Sequence, residues 1–305
     1  MLQKYIFLLF TFLLFQGCSS KNIYQKILEY ERDSAKLEKK FQQLPFGKMA
    51  YLENDIKVKE TLVLLHGFGA NKDNWDRFVL ALQGKYHIII PDLAGHGEST
   101  LNKYLNYTLA SHVKRLEIFL KSKEITHFHI VGNSMGGGIA LLYSAMHKNQ
   151  VKTLTLIDSI GVIKTKSDIM KHIEKTGENP FLDVCSNEKL QILLDYGMYK
   201  QPYIPDFLMS VITNEKCKNA SLEKKMFKTL MKNIDLTNIA QQITIPTLIM
   251  WGKEDRVLHF TNATLFQKQI KNSQLKIFKQ IGHVPMFEAP KKTAKVFEDF
   301  IENSH

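Results

Sequence analysis

The sequence predicts an α/β protein, a mostly parallel sheet flanked on both faces by helices, with an inserted helical cap. Two observations carry that expectation. Continuous apolar runs of strand length, such as Thr61-Leu62-Val63-Leu64-Leu65 and Thr247-Leu248-Ile249-Met250-Trp251, alternate with helix-period segments, and strands buried on both faces belong to parallel sheets. From about residue 161 to 236 the alternation stops. Helical fragments rich in Met, Phe, Tyr and Leu follow one another there, broken by Pro180, Pro202 and Pro205, with no β-run. With 305 residues, 44% hydrophobic and 23% charged, the chain can bury one large core with an insert. The formal net charge of +11 invites a nucleic-acid partner, but the lysines are scattered and no nucleic-acid-binding motif accompanies them. A lysine-rich surface is expected, with attraction to anionic lipid as the alternative. No obligate protein partner is evident.

Residues 1–17 read as a signal peptide. Met1-Leu2-Gln3-Lys4 is a short positive start, and the apolar run over 5–15 falls short of the roughly 20 residues that span a bilayer. Phe15-Gln16-Gly17-Cys18-Ser19-Ser20 resembles a bacterial lipobox. That resemblance implies a lipidated Cys18 at the mature N-terminus and a bacterial cell envelope location, with Ser19 favouring the outer membrane. Plain secretion or an uncleaved N-terminal anchor are the alternatives. Cys185 and Cys217 would then lie in an oxidising compartment where a disulfide is allowed. No cysteine pair has metal-ligand spacing.

The elements follow in order. Residues 18–44 read as a tether and one amphipathic helix, from the three- and four-residue spacing of Ile23, Ile27, Tyr30, Leu37, Phe41 and Leu44. Residues 45–305 form the globular domain. Pro45 and Gly47 stop the helix, and 48–58 reads as a hairpin turning at Glu53-Asn54-Asp55. The buried strand 61–65 runs into His66-Gly67-Phe68-Gly69, and Asn71 or Asp73 can cap a helix through Trp75, Phe78, Val79 and Leu82. Strand 86–90 is closed by the tight Pro91–Ser99 loop, and a helix of about 109–121 leads to strand 128–131. After a helix bearing Ile139, Leu142, Tyr143 and Met146 comes strand 151–157, ending at Asp158. Beyond the cap lie strand 246–251, helix 260–270, strand 274–278, a loop over 281–285 and a final helix over 293–301.

The chemistry centres on Gly132-Asn133-Ser134-Met135-Gly136. A serine between a strand and a helix at G-x-S-x-G spacing sits on a cramped turn that pushes its hydroxyl out above the sheet. A hydroxyl is a poor nucleophile at neutral pH and needs a base, oriented in turn by an acid. His283 and Asp255 each stand just past a strand end and complete the order Ser, Asp, His. Backbone N–H groups of Phe68 and Met135 are the candidate oxyanion-hole donors. Asp158 and Glu254 are alternative acids. His96, set among glycines in a tight loop, reads as structural.

Together, His66-Gly67-Phe68-Gly69, Asp92-Leu93-Ala94-Gly95-His96-Gly97, Gly132-Asn133-Ser134-Met135-Gly136-Gly137, Trp251-Gly252-Lys253-Glu254-Asp255 and Gly282-His283 resemble the α/β-hydrolase superfamily from about residue 45 onward. Asn71-Lys72-Asp73, residues 245–258 and Lys292-Thr293-Ala294-Lys295 are similar to the membrane-associated monoacylglycerol lipases and their bacterial lipase/esterase relatives. The resemblance implies hydrolysis of monoacylglycerols or other acyl esters by an α/β-hydrolase fold that uses no cofactor and no metal. A carbon–carbon bond hydrolase of ring-cleavage products is similar around the serine, but it commonly has an aromatic residue where Val284 stands. Dehalogenases and epoxide hydrolases need a carboxylate at position 134. From a different class, an inactive lipid-binding envelope lipoprotein could use the same fold.

Overall fold

The computed structural model describes residues 19–56, 58 and 60–304. The expected signal peptide and Cys18 lie outside the described residues. Helix α1 (Ser20–Ser34) is capped by the Ser19 hydroxyl, which accepts from the Asn22 N–H at 3.3 Å. The single helix expected over 21–44 is corrected here. Lys36 takes a left-handed φ of 55° and ends the helical path, and Glu38–Leu44 form strand β1 instead. β1 pairs antiparallel with β2 (Gly47–Glu53), Leu44 facing Gly47 across the Pro45-Phe46 turn. The hairpin expected at Glu53-Asn54-Asp55 is therefore displaced toward the N-terminus. Asn54 ties the end of β2 to the neighbouring strand, donating to the Tyr86 carbonyl at 2.9 Å and accepting from the Ile88 N–H at 2.8 Å.

The chain continues through β3 (Thr61–Leu65), a 3-10 turn (Lys72–Trp75), α2 (Asp76–Ala81), β4 (His87–Pro91), α3 (Leu109–Ser122), β5 (Phe128–Asn133), α4 (Met135–Met146) and β6 (Val151–Ile157). Asn71 and Asn74 cap the 3-10 turn reciprocally. After β6 come α5 (Asp168–Thr176), α6 (Asn187–Gly197), α7 (Asp206–Leu230) and the short α8 (Thr237–Ala240). β7 (Thr247–Gly252), α9 (Thr261–Gln269), β8 (Ser273–Phe278), α10 (Pro285–Glu288) and α11 (Pro290–Glu302) complete it. The eight strands lie in the order β1-β2-β4-β3-β5-β6-β7-β8. The pairs made by β2 are antiparallel and all others are parallel.

Strand periodicity sorts the core into two layers. Val63 and Leu65 point to one face, with Phe119, Ile139, Tyr143, Trp251 and Phe266. Leu62 and Leu64 point to the other, with Trp75, Phe78, Met250 and Phe297. Helices α3, α4 and α9 cover the first face; α2 and α11 cover the second. Between β6 and β7 lie α5–α7; α6 and α7 share a small core of Val184, Leu190 and Met209, whereas Ile169 of α5 joins the first layer. Cys185 and Cys217 are joined there as a disulfide. Helix α1 packs against α7 and α2. Among the described residues, no helix is long and apolar enough to cross a membrane.

A buried charge cluster fixes the N-terminal helix to this frame. Arg32 of α1 donates twice to Asp73, at 2.7 and 2.9 Å, and Lys72 donates to Asp92 at 3.0 Å and Glu98 at 2.7 Å. Burial works against ionising Glu98, but its hydrogen bonds from Lys72 and Lys39 bring its pKa down to about 2. Replacing one member of a buried pair strands the other charge. Arg32→Met is expected to lower stability by about 3 kcal/mol in urea unfolding, whereas loss below about 0.5 kcal/mol would mean that the ion pair does not anchor α1.

Candidate active site

Ser134 sits between the end of β5 and the start of α4, with φ 53° and ψ −116°. That backbone is reachable because the residues packed around it lack side chains. A Cβ on Gly132 would lie 2.2 Å from the Gly136 carbonyl oxygen, and one on Gly136 only 2.3 Å from the Leu65 oxygen. The bend therefore lets α4 rest directly on β3 and β5 and leaves Ser134 half-exposed at the rim.

The loop after β3 comes to the same place. A Cβ on Gly67 would meet Ser134 Cβ at 3.2 Å, so the Gly67-Phe68 backbone abuts the serine. Met135 opens α4, where the first N–H groups have no partner within the helix. His66 sets the shape of the loop. Its Nε2 accepts from the Leu93 N–H at 3.0 Å, which leaves Nδ1 to carry the proton it donates to the Gly67 carbonyl at 2.8 Å. Burial lowers its pKa and keeps it in that neutral form.

His283 lies in the loop between β8 and α10, and its Nδ1 donates to Asp255 Oδ2 at 2.8 Å. Both residues are buried. Asp255 Oδ1 accepts from the Val257 and Leu258 N–H groups at 2.8 and 2.9 Å, which aims the other oxygen at the imidazole. With Nδ1 protonated, Nε2 is the ring atom free to accept a proton. Asn133, next to the serine, donates to the His283 carbonyl at 3.0 Å and to the Ile157 carbonyl at 3.2 Å. The serine strand and the histidine loop are thus tied together. Of the two side-chain bonds in a Ser–His–Asp arrangement, the structure contains the His–Asp one; none joins Ser134 Oγ to the imidazole among the described residues. Such bonds often tighten only once substrate is bound.

The other candidates have different partners. His96 is buried with Nδ1 at 3.3 Å from the Ala94 oxygen, packed edge-on to Phe68. Burial, with His66 and His112 beside it, holds its pKa well below the ordinary value. Glu254 accepts from the Ile281 N–H at 3.1 Å and braces the histidine loop from outside. Asp158 is fully buried at the end of β6 with φ 44°, accepting from the Gly252 N–H at 2.9 Å through Oδ1. Asp158, Asp255 and His283 each place a polar atom within 4.8 Å of the others. Burial first, then the neighbouring Asp255, pushes the Asp158 pKa well up and favours its neutral form. The roles of His66, Asn133 and Glu254 were not apparent in the sequence, because each depends on a partner that folding brings near: the Leu93 N–H, the His283 carbonyl and the Ile281 N–H.

The chain is similar to known proteins in sequence and in overall fold. Residues 60–183 match the family described as alpha/beta hydrolase fold. Lipase 1 of Psychrobacter immobilis is 39% identical over 284 residues, spanning 92% of this chain and 89% of that protein. Monoacylglycerol lipase abhd6-A of Xenopus laevis is 29% identical over 256 residues, spanning 80% and 76%. The crystal structure of a membrane phospholipase A, a novel bacterial virulence factor, superimposes with a TM-score of 0.90 at 33% identity, covering 99% of this chain and 98% of its own.

A neutral buried acid has a measurable signature. Asp158 has a folded pKa raised above its unfolded value of about 3.8, so the folded chain holds an extra proton between the two. The associated stability is complete below pH 3.8 and is lost as pH rises towards the raised value. Asp158→Asn keeps an acceptor for Gly252 and removes that dependence. Urea unfolding is expected to show the variant equal to or more stable than wild type at pH 8, with a shallower decline upward from about pH 4; an unchanged slope would mean that Asp158 is already ionised.

Proposed function

The chain belongs to the α/β-hydrolase family, and on that premise we propose that it is a serine carboxylic-ester hydrolase acting on monoacylglycerols or similar acyl esters. The observation that carries the reading is the buried 2.8 Å His283–Asp255 pair at the sheet rim that also holds Ser134 on its tight turn. In the proposed reaction His283 Nε2 takes the Ser134 proton as Oγ attacks the ester carbonyl. Asp255 stabilises the imidazolium and holds its tautomer. The N–H groups of Phe68 and Met135 receive the developing oxyanion. Collapse releases the alcohol with the proton from His283, and water then cleaves the acyl-enzyme by the same route in reverse. No step calls for a cofactor.

The lipid character of the substrate is supported by what surrounds the oxyanion loop. The Phe68 ring lies 5.5 Å from Phe227 of α7 and 6.5 Å from Phe181, an apolar wall suited to an acyl chain. The relatives' names point the same way. For location, the proposal is a bacterial envelope protein held to the outer membrane by acylated Cys18; a membrane-facing enzyme meets such substrates directly.

Two measurements test this. Ser134→Ala is expected to abolish fluorophosphonate labelling and lower kcat/KM on p-nitrophenyl esters by at least about 10⁴-fold; equal rates for both proteins would leave an inactive lipid-binding lipoprotein as the reading. Better turnover of acetate esters than of medium- or long-chain monoacylglycerols would instead favour a small-molecule esterase. Separately, Cys18→Ser is expected to end palmitate incorporation and release the chain from the membrane fraction, and retention of both in the variant would exclude lipidation at Cys18.

A further inference from the structure

Resting on the serine-hydrolase reading, we infer that Glu288 is a positioning residue that latches the cap onto the histidine loop. Four N–H···O bonds join the two across a short stretch of backbone. The His283 N–H donates to the carbonyl of Gly197, the last residue of α6, at 2.9 Å. Glu288, at the end of α10, accepts through Oε1 from the Gly282 N–H at 2.8 Å. Its Oε2 accepts from the Tyr199 and Lys200 N–H groups at 2.9 and 3.2 Å. One carboxylate thereby grips the residue before the histidine with one oxygen and the cap with the other.

Close packing leaves no slack in this arrangement. A Cβ on Gly282 would lie 2.8 Å from the Tyr199 nitrogen and 3.0 Å from the Gly197 oxygen, so cap backbone rests directly on the loop. On the opposite side, a Cβ on Gly252 at the end of β7 would fall 1.9 Å from the Gly282 oxygen. The histidine loop is held between the sheet rim and the cap, with Glu288 fastening the outer side. Residues 197–200 cannot lift without withdrawing the oxygen that holds the His283 amide. Over this edge, cap position and imidazole position are one variable, and movement of the cap to admit substrate belongs to its other edges.

The test separates a latch acting through His283 from a carboxylate that merely supports the cap. Glu288→Gln keeps the size of the side chain, but its NH₂ must face either the Gly282 N–H or the Tyr199 and Lys200 N–H groups, donor against donor. Tyr199→Pro removes a cap-side donor and sets its ring Cδ against Glu288 Oε2 where the hydrogen stood, breaking the cap-side bond while Glu288 itself is unchanged. The preceding Met198, at φ −129° and ψ 141°, already has the extended backbone a following proline requires. The readouts are the fluorophosphonate labelling rate and kcat and KM on p-nitrophenyl acetate, an ester too small to need the cap. Each variant is expected to lose about tenfold or more in labelling rate and kcat, with acetate KM within about twofold of wild type and a retained cooperative melt, as displacement of a reacting group costs rate more than binding. Wild-type labelling with a raised KM only for long-chain esters would overturn the latch. If Glu288→Gln does not fold, a folded Tyr199→Pro with wild-type labelling overturns it equally. A wild-type chain that fails to label at all would sink the hydrolase reading and the latch with it, whereas equal labelling of wild type and variants sinks the latch alone.

Discussion

The backbone turn at Ser134 is the constraint from which the rest of the site follows. A non-glycine residue at φ 53° carries a steric penalty, and it persists here because strand, turn and helix packing leave it no alternative. The Gly132 and Gly136 positions let the helix approach the strand closely enough to force the bend. The same close approach sets α4 on the end of β3, and this is what brings the Gly67-Phe68 backbone against the serine. A bulkier turn would separate the hydroxyl from the amide donors at the same time. The placement of the Ser134 oxygen and its surroundings therefore depends on missing side chains more than on any added contact.

Much of this was legible in the sequence, because loops that bend sharply at strand ends are marked by glycine, and buried parallel strands by unbroken apolar runs. The strands from Thr61 to Phe278 and the residues at their ends fall where those signals put them. The N-terminal segment was misread for a physical reason. Along β1, Phe41 and Leu44 are spaced like the flank of a helix, and the lysines of an edge strand dilute the alternation that would identify it. Phe41 is 46% exposed while Leu37 and Leu44 are buried, so the apparent stripe is not one face. In the candidate site, Ser134, Asp255 and His283 stood out, but their supports did not. Nothing local marks Asn133 as a tie to the His283 carbonyl, or Glu288 as the acceptor of three amides from two segments.

Charge is confined as tightly as the backbone. Asp158 and Asp255 approach each other in a region closed to solvent, where two anions side by side are unfavourable. Two backbone N–H groups and an imidazole favour charge on Asp255, while Asp158 has a single amide and an oxygen with no hydrogen-bond partner. The asymmetry in donors decides which carboxyl keeps its proton. Neutral His66 and His96 add no competing cation on the opposite side of the serine.

The covalent bond between Cys185 and Cys217 closes a loop across 32 residues, one end just ahead of α6 and the other within α7. In the chain-entropy account, closing a loop of that size is worth about 3–4 kcal/mol. The pair of helices it staples has only a small core of its own to hold it together. Material made where glutathione keeps thiols reduced would therefore assemble the sheet but leave α6 and α7 without that covalent tie. A recombinant preparation from a bacterial cytosol and one exported to the periplasm could then differ in protease resistance while sharing every amino acid.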